Sequence, residues 1–169
     1  MTVIVWDGKS LATDQQANDG SMKWEAEKAW YVTHPDTKKV CIVSGVGMLG
    51  YIIQLRDWFA GGCDWEHRMH LDIAPSMAQL IVVDEQGLCV YEGFHGHESK
   101  ATFSPVRLQA PMAFGLGKEY AMGALAMGAN AAQAVSIANE YSLHCGKGVA
   151  LYTLQAVSYT HLRAHETKR

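Results

Sequence analysis

The 169-residue chain has few of the staples that hold small secreted scaffolds together: four cysteines and four prolines. Cys41, Cys63, Cys89 and Cys145 form no Cys-x-x-Cys pair. A chain of this length buries a core without staples, so neither a disulfide framework nor a zinc site is expected, and reduced thiols in a cytoplasmic protein are the reading. Basic excess is also missing: 14 Lys and Arg stand against 17 Asp and Glu, a net charge of −3. With no positive field to hold a phosphate backbone, nucleic acid is not an expected partner. Long apolar runs are absent. The stretch 40–55 is broken by Ser44, Gly45, Gly47, Gly50 and Gln54, so no membrane span is expected. The start, Met-Thr-Val-Ile-Val-Trp-Asp, lacks a basic region and reaches an acid at Asp7, so no secretory signal is read there. No Gly-x-x-x-x-Gly-Lys-[Ser/Thr] loop occurs, and Gly115-x-Gly117 lacks the third glycine of a dinucleotide fingerprint, so no cofactor is expected.

What is present is the composition of a folded chain, with 49% apolar and 18% charged residues. One segment does not fit. Residues 157–169 read VSYTHLRAHETKR, with no period of 2 or 3.6 and a cluster of ionisable side chains. The run Val157–Thr167 resembles the in-frame translation of a sequencing adaptor, so 157–169 is set aside as a non-native tail and 1–156 is taken as a single domain. The tail carries three of the basic residues (Arg163, Lys168, Arg169) and one acid (Glu166), so the remainder is more acidic than the whole.

Turn chemistry and periodicity outline the elements. Thr2–Trp6 and Leu11–Thr13 flank Asp7-Gly8, a strong hairpin signal. Gln15 to Ser21 is polar and turn-like. A second strand pair, Ala29–Thr33 and Lys39–Ser44, is joined by His34-Pro35-Asp36. Met48, Leu49, Ile52, Ile53, Leu55 and Phe59 mark a helix that Gly61-Gly62 ends. A third hairpin, Ala78–Val83 with Leu88–Tyr91, turns at Asp84–Gly87. Cys63 to Pro75 has no clear period, and Glu92 to Pro111 reads mostly as loop. Tyr120, Ala121, Ala124, Leu125 and Met127 mark a small-residue helix. Asn130 is the expected N-cap of another, with Ala131, Ala134, Val135 and Ile137 on its apolar face. Gly148–Leu154 is a last strand. Hairpins and grouped helices point to an α+β architecture with antiparallel sheets.

Isolated signals carry little. His95, His97 and Glu98, like Glu66, His67 and His70, fall short of a closed ligand set, so no metal site is expected. Trp6, Trp24, Trp30, Trp58 and Trp65 suit a core or subunit interface better than a base-stacking platform. One coincidence is more telling. A threonine stands at position 2, behind a methionine that processing removes before a small residue. A strand begins at once, and an acid and lysines follow in ATDQQA (12–17) and MKWEAEK (22–28). Together with TVIVWDGKSLATDQQA (2–17), VCIVSGVG (40–47), AFGLGKEYAMGALAMGA (113–129) and HCGKGVALYTL (144–154), the chain resembles the proteasome β-subunit family of N-terminal nucleophile hydrolases, above all its bacterial HslV-type and phage-type members.

The resemblance implies an αββα four-layer sandwich and a threonine endopeptidase in a self-compartmentalising homo-oligomeric ring. It implies peptide or unfolded-protein substrates and an ATP-dependent unfoldase partner. It assigns Thr2 as nucleophile and, through its freed α-amine, as base; Lys28 as the electrostatic activator; Asp14 as the group orienting Lys28; and Gly45 as the oxyanion N–H donor. Val43 and Gly47 are the implied pocket positions. The chemistry is coherent: a hydroxyl is a poor nucleophile without a base, and a terminal amine has an unperturbed pKa of roughly 7.7–8.0. A neighbouring ammonium favours the ionised hydroxyl, and a backbone N–H stabilises the oxyanion. Lys23 competes with Lys28 for the activating role. Two positions depart from the family pattern. Leu116 stands where a serine is common, and Ser142, near Cys145, stands where an aspartate is common, which weakens the expected support of the terminal amine. A catalytically inactive ring subunit and a small-amide hydrolase are the alternative readings.

Overall fold

The computed structural model describes residues 2–19, 21–63, 78–95 and 101–154. Its elements run β1 (Val3–Trp6), β2 (Leu11–Asp14), β3 (Gln16–Asn18), β4 (Lys23–Glu25), β5 (Ala29–Thr33), β6 (Val40–Gly47) and α1 (Leu49–Ala60). They continue with β7 (Ala78–Asp84), β8 (Gly87–His95), β9 (Ala101–Leu108), β10 (Met112–Gly115), α2 (Lys118–Ala126), α3 (Ala131–Tyr141) and β11 (Val149–Tyr152). The strands form a four-stranded sheet, β10-β1-β2-β11, a five-stranded sheet, β5-β6-β7-β8-β9, and the small β3-β4 ribbon. All their ladders are antiparallel, as the hairpin signals predict.

The first hairpin shows how local chemistry sets register. Asp7 Oδ1 accepts from the backbone N–H groups of Lys9 and Ser10, each at 2.8 Å, and Gly8 takes the positive φ of +98° that the turn needs. β1 and β2 then pair Ile4 with Thr13 and Trp6 with Leu11. The other Asp7 oxygen accepts from Ala131 N at 2.9 Å, which fastens this turn to the start of α3. Asn130 caps α3 as expected: its side chain accepts from Gln133 N, and the Gln133 side chain accepts from Asn130 N.

Alternation along the strands divides the buried residues into three cores. Val3, Val5, Ala12 and Ala113 pack under Ala121, Leu125, Ala134, Val135 and Ala138 of α2 and α3. Ile4, Trp6 and Leu11 face Ile42, Ile81, Val83, Leu88 and Val90 of the five-stranded sheet. Val43, Leu80, Val82 and Cys89, on the far side of that sheet, pack against Ile52, Leu55 and Phe59 of α1. Both faces of β1 are therefore covered, which is why VIVW is buried throughout.

Four elements differ from the sequence expectation. Residues 101–108, read as loop, form β9 at the edge of the large sheet. Pro105 stands there opposite Tyr91, where a missing N–H is tolerated. Met112–Gly115 forms β10 by pairing with β1, a partner more than a hundred residues away. Gln16–Asn18 and Lys23–Glu25, within and beyond the stretch read as turn, make a ribbon. The helix faces also shift: Ala138 replaces Ile137 in the core, while Ile137, Tyr120 and Met127 are exposed. The packed surface there is built of alanines, because small side chains let α2 and α3 sit close to the sheet.

The unclear segment after Cys63 falls mostly outside the described residues, as do Trp65, His67, His70, His97 and the tail 157–169. No helix among the described residues is long and apolar enough to cross a membrane. The four cysteines are free.

Candidate active site

Asp14 organises the site. It is the last residue of β2, and the β1–β2 register sets it beside Val3, with its side chain on the same sheet face as Ala12. Its carboxylate is fully buried and accepts five hydrogen bonds. Oδ1 takes the Thr2 hydroxyl at 2.8 Å, Val3 N at 3.0 Å and the Lys28 ammonium at 2.8 Å. Oδ2 takes Gln16 N at 3.2 Å and Gly146 N at 3.3 Å. Such a set of donors fixes a buried anion in place.

Lys28 reaches this point from the other sheet. It immediately precedes β5, and Ser44 Oγ donates to its carbonyl at 2.7 Å, which pins the main chain where the lysine leaves the sheet. Burial pushes the ammonium's pKa down, and the charge and hydrogen bond of Asp14 pull it back part of the way. Because Lys28 and Thr2 share one carboxylate oxygen, their polar atoms lie at most two hydrogen-bond lengths apart. Lys23, the competing lysine, is exposed on β4.

Thr2 and Lys28 line a cleft of about 570 Å³, a size typical of ligand sites. One wall is the end of β6 and the start of α1, from Gly45 to Leu49 with Ile52; the ribbon adds Ala17, Asn18 and Trp24; and Leu116 completes the rim. The β5–β6 ladder ends at Ala29–Ser44, while β6 runs on to Gly47, so among the described residues this edge of β6 has no strand partner beside the cleft. Gly45 and Gly47 have different local reasons to be glycine. A Cβ on Gly45 would lie 2.6 Å from the Gln79 carbonyl oxygen and 2.7 Å from Ile52 Cδ1, so glycine lets α1 close onto the strand. The bend into α1 sits at Gly47, whose φ is +132°.

Thr2 is held from its other side by the β10–α2 turn. Gly117 N donates to the Thr2 carbonyl at 3.4 Å. Gly115 has φ +88°, and a Cβ there would stand 2.2 Å from the Thr2 carbonyl oxygen. Gly115→Ala is expected to cost about 1–3 kcal/mol in backbone strain and about 1–3 kcal/mol in overpacking, and to displace Thr2. Chemical denaturation with a parallel activity assay checks this: wild-type stability and rate in the variant would contradict the close approach.

The remaining candidates fall at different distances. Cys145 is buried below the network. Burial pushes its thiol pKa up, while Ser142, also buried, acts in the opposite direction, and Asp14 and Lys28 are close enough to act on it electrostatically. Val43 is not brought to the cleft: it faces away from the opposite sheet, into the core under α1, and Val46 lines the cleft instead. Ser44, Gly115, Gln16 and Gly146 were not singled out for the contacts they make. Ser44 was visible only as the neighbour of Gly45, and the Gln16 and Gly146 contacts are made by backbone, which carries no side-chain signature. Among the described residues no group of His, Cys, Asp and Glu could hold a metal.

Solved structures share this arrangement of strands and helices. BPH from Thiobacillus denitrificans, in complex with epoxomicin, superposes with a TM-score of 0.61 at 20% identity, over 89% of this chain and 96% of its own. Eukaryotic HslV from Trypanosoma brucei gives 0.56 at 14%, over 89% and 97%. Anbu, an ancestral β-subunit, gives 0.54 at 12% for the Yersinia bercovieri protein, over 99% and 97%. The helical assembly of the Pseudomonas aeruginosa Anbu complex gives 0.51 at 9%, over 98% and 94%. The chain shares the fold of these structures. No family model and no curated protein sequence matches the chain. Within this fold, Thr2 stands at the head of the first strand, and the network it joins is drawn from both sheets.

Proposed function

We propose that this chain is an N-terminal threonine peptidase that hydrolyses peptide bonds through an ester on Thr2. The observation that carries the reading is the buried Thr2–Asp14–Lys28 network on one side of an open cleft. With Met1 removed, the Thr2 amine takes the hydroxyl proton while Oγ1 bonds to the scissile carbonyl carbon. The carbonyl oxygen becomes an oxyanion facing the N–H groups at Gly45 and Gly47. The C–N bond breaks, and the leaving amine takes the proton from the Thr2 ammonium. Water then adds to the ester under the same amine, releasing the acid and restoring Thr2. Lys28 stabilises the negative charge that develops on the Thr2 oxygen as it loses its proton in the attack and as it leaves in deacylation, and Asp14 holds Lys28.

The cleft, with Thr2 and Lys28 in its lining, supports peptide or unfolded-protein substrates; delivery by an ATP-dependent unfoldase in the cytoplasm belongs to the same reading and rests on the resemblance of the sequence. The order of the three cores supports an αββα four-layer sandwich in a single domain. Exposed Met127, Tyr141 and Leu143 on and beyond α2 and α3 support contact with further copies in a homo-oligomeric ring, and Anbu is known as a helical assembly.

A second reading, an inactive structural subunit, is favoured by Leu116, whose side chain offers no hydrogen bond, and by Ser142, which carries no charge. Intact mass after incubation with a peptide epoxyketone decides between them. The peptidase reading expects Met1 absent and one adduct on Thr2. Folded, Met1-free protein without an adduct supports the inactive subunit, and turnover by protein that retains Met1 overturns the mechanism.

A further inference from the structure

Leu116 lines the cleft, is 56% exposed, and has no role in the chemistry. An exposed leucine is ordinary in itself; its position is what is informative. Continuing the β1–β10 ladder one step past Val3–Gly115 sets Leu116 opposite Thr2, and the bond from Gly117 N to the Thr2 carbonyl fixes the turn there. Leu116 therefore belongs to the side of the cleft formed by the Thr2 main chain. Gly45 and Gly47 belong to the other, five-stranded sheet, and Met48 and Ile52 to the start of α1 that follows it.

A peptide with its scissile carbonyl over the Thr2 hydroxyl sends one half toward each side. Its carbonyl oxygen turns to the unpaired edge of β6, so the acyl half lies against β6 and α1. The leaving nitrogen must take its proton from the Thr2 amine, so the leaving half passes the Thr2 main chain, where Leu116 stands.

We infer that Leu116 is a specificity residue for the leaving half, selecting polypeptides whose first residue after the scissile bond is aliphatic. The inference rests on the peptidase reading. An aliphatic side chain at that position covers the exposed face of Leu116 and removes apolar surface of both partners from water. A contact of this size distinguishes side chains by about 10-fold in kcat/KM, the lower end of what one apolar contact supplies.

The test uses two internally quenched peptides with one acyl half, carrying leucine or glycine as the first leaving-side residue. Wild-type protein is expected to prefer the leucine peptide by about 10-fold. Leu116→Ser should reduce that ratio to about 1–2, and Leu116→Met should restore most of it, with melting curves confirming that both variants fold. A wild-type ratio near one, or a ratio that survives Leu116→Ser, overturns the inference. The epoxyketone adduct separates the two claims. Protein that forms the adduct but ignores the leaving-side residue overturns the inference alone; protein that forms no adduct and cleaves neither peptide overturns the peptidase reading and the inference with it.

Discussion

Thr2→Ala is expected to lose at least about 10³-fold in kcat/KM on a fluorogenic peptide, with no epoxyketone adduct, while the protein stays folded. The asymmetry follows from what the side chain does. For folding, the hydroxyl contributes one of five donors to Asp14, and losing it costs about 1 kcal/mol, since four others still hold the carboxylate. For the proposed reaction the hydroxyl is the only atom that bonds to substrate, so no neighbour replaces it. Thr2→Ser keeps the oxygen and should keep a measurable rate. Peptide turnover by purified Thr2→Ala at more than a few per cent of wild type, co-eluting with the variant through a further chromatography step so that contaminating peptidase is excluded, would remove Thr2 from the chemistry.

Asp14→Asn should damage stability and activity together. Asparagine offers one carbonyl where two oxygens now accept five donors, and its NH₂ group points a donor at donors. It also removes the Asp14 charge from beside the buried Lys28 ammonium. Breaking one side of a buried ion pair costs about 3–5 kcal/mol. For a chain of this length that corresponds to a fall in melting temperature of about 6–20 °C. The double variant Asp14→Asn/Lys28→Met removes the ammonium as well and should regain part of the stability without regaining turnover. That split is the informative result. A double variant no more stable than Asp14→Asn would show that the pair is not the origin of the loss. Recovery of activity in it would exclude Lys28 from the mechanism.

Much of this molecule was legible in the order of its residues because much of it is local. Asp7-Gly8, His34-Pro35-Asp36 and Asp84–Gly87 each specify a turn by the backbone conformations they permit, and the strands on either side pair as neighbours. Asn130 starts α3 by a contact three residues away. Thr2, Asp14, Lys28 and Gly45 could be singled out together because a hydroxyl, an acid, a lysine and a glycine at those spacings resemble a known constellation. Tertiary structure decided what depends on distant partners. β10 exists because β1 offers it a free edge, and β9 tolerates Pro105 because it is the last strand of its sheet. Only the fold distinguishes Lys28 from Lys23, since both follow Asp14 at plausible spacing but just one leaves a strand pointing back at it. Val43 and Val46 are equally apolar in sequence, and the pleat sends the first to α1 and leaves the second at the cleft. Leu116 reads as a missing hydroxyl in sequence. In the folded chain it is an apolar surface beside Thr2, because a ladder register joins residues that lie far apart along the backbone.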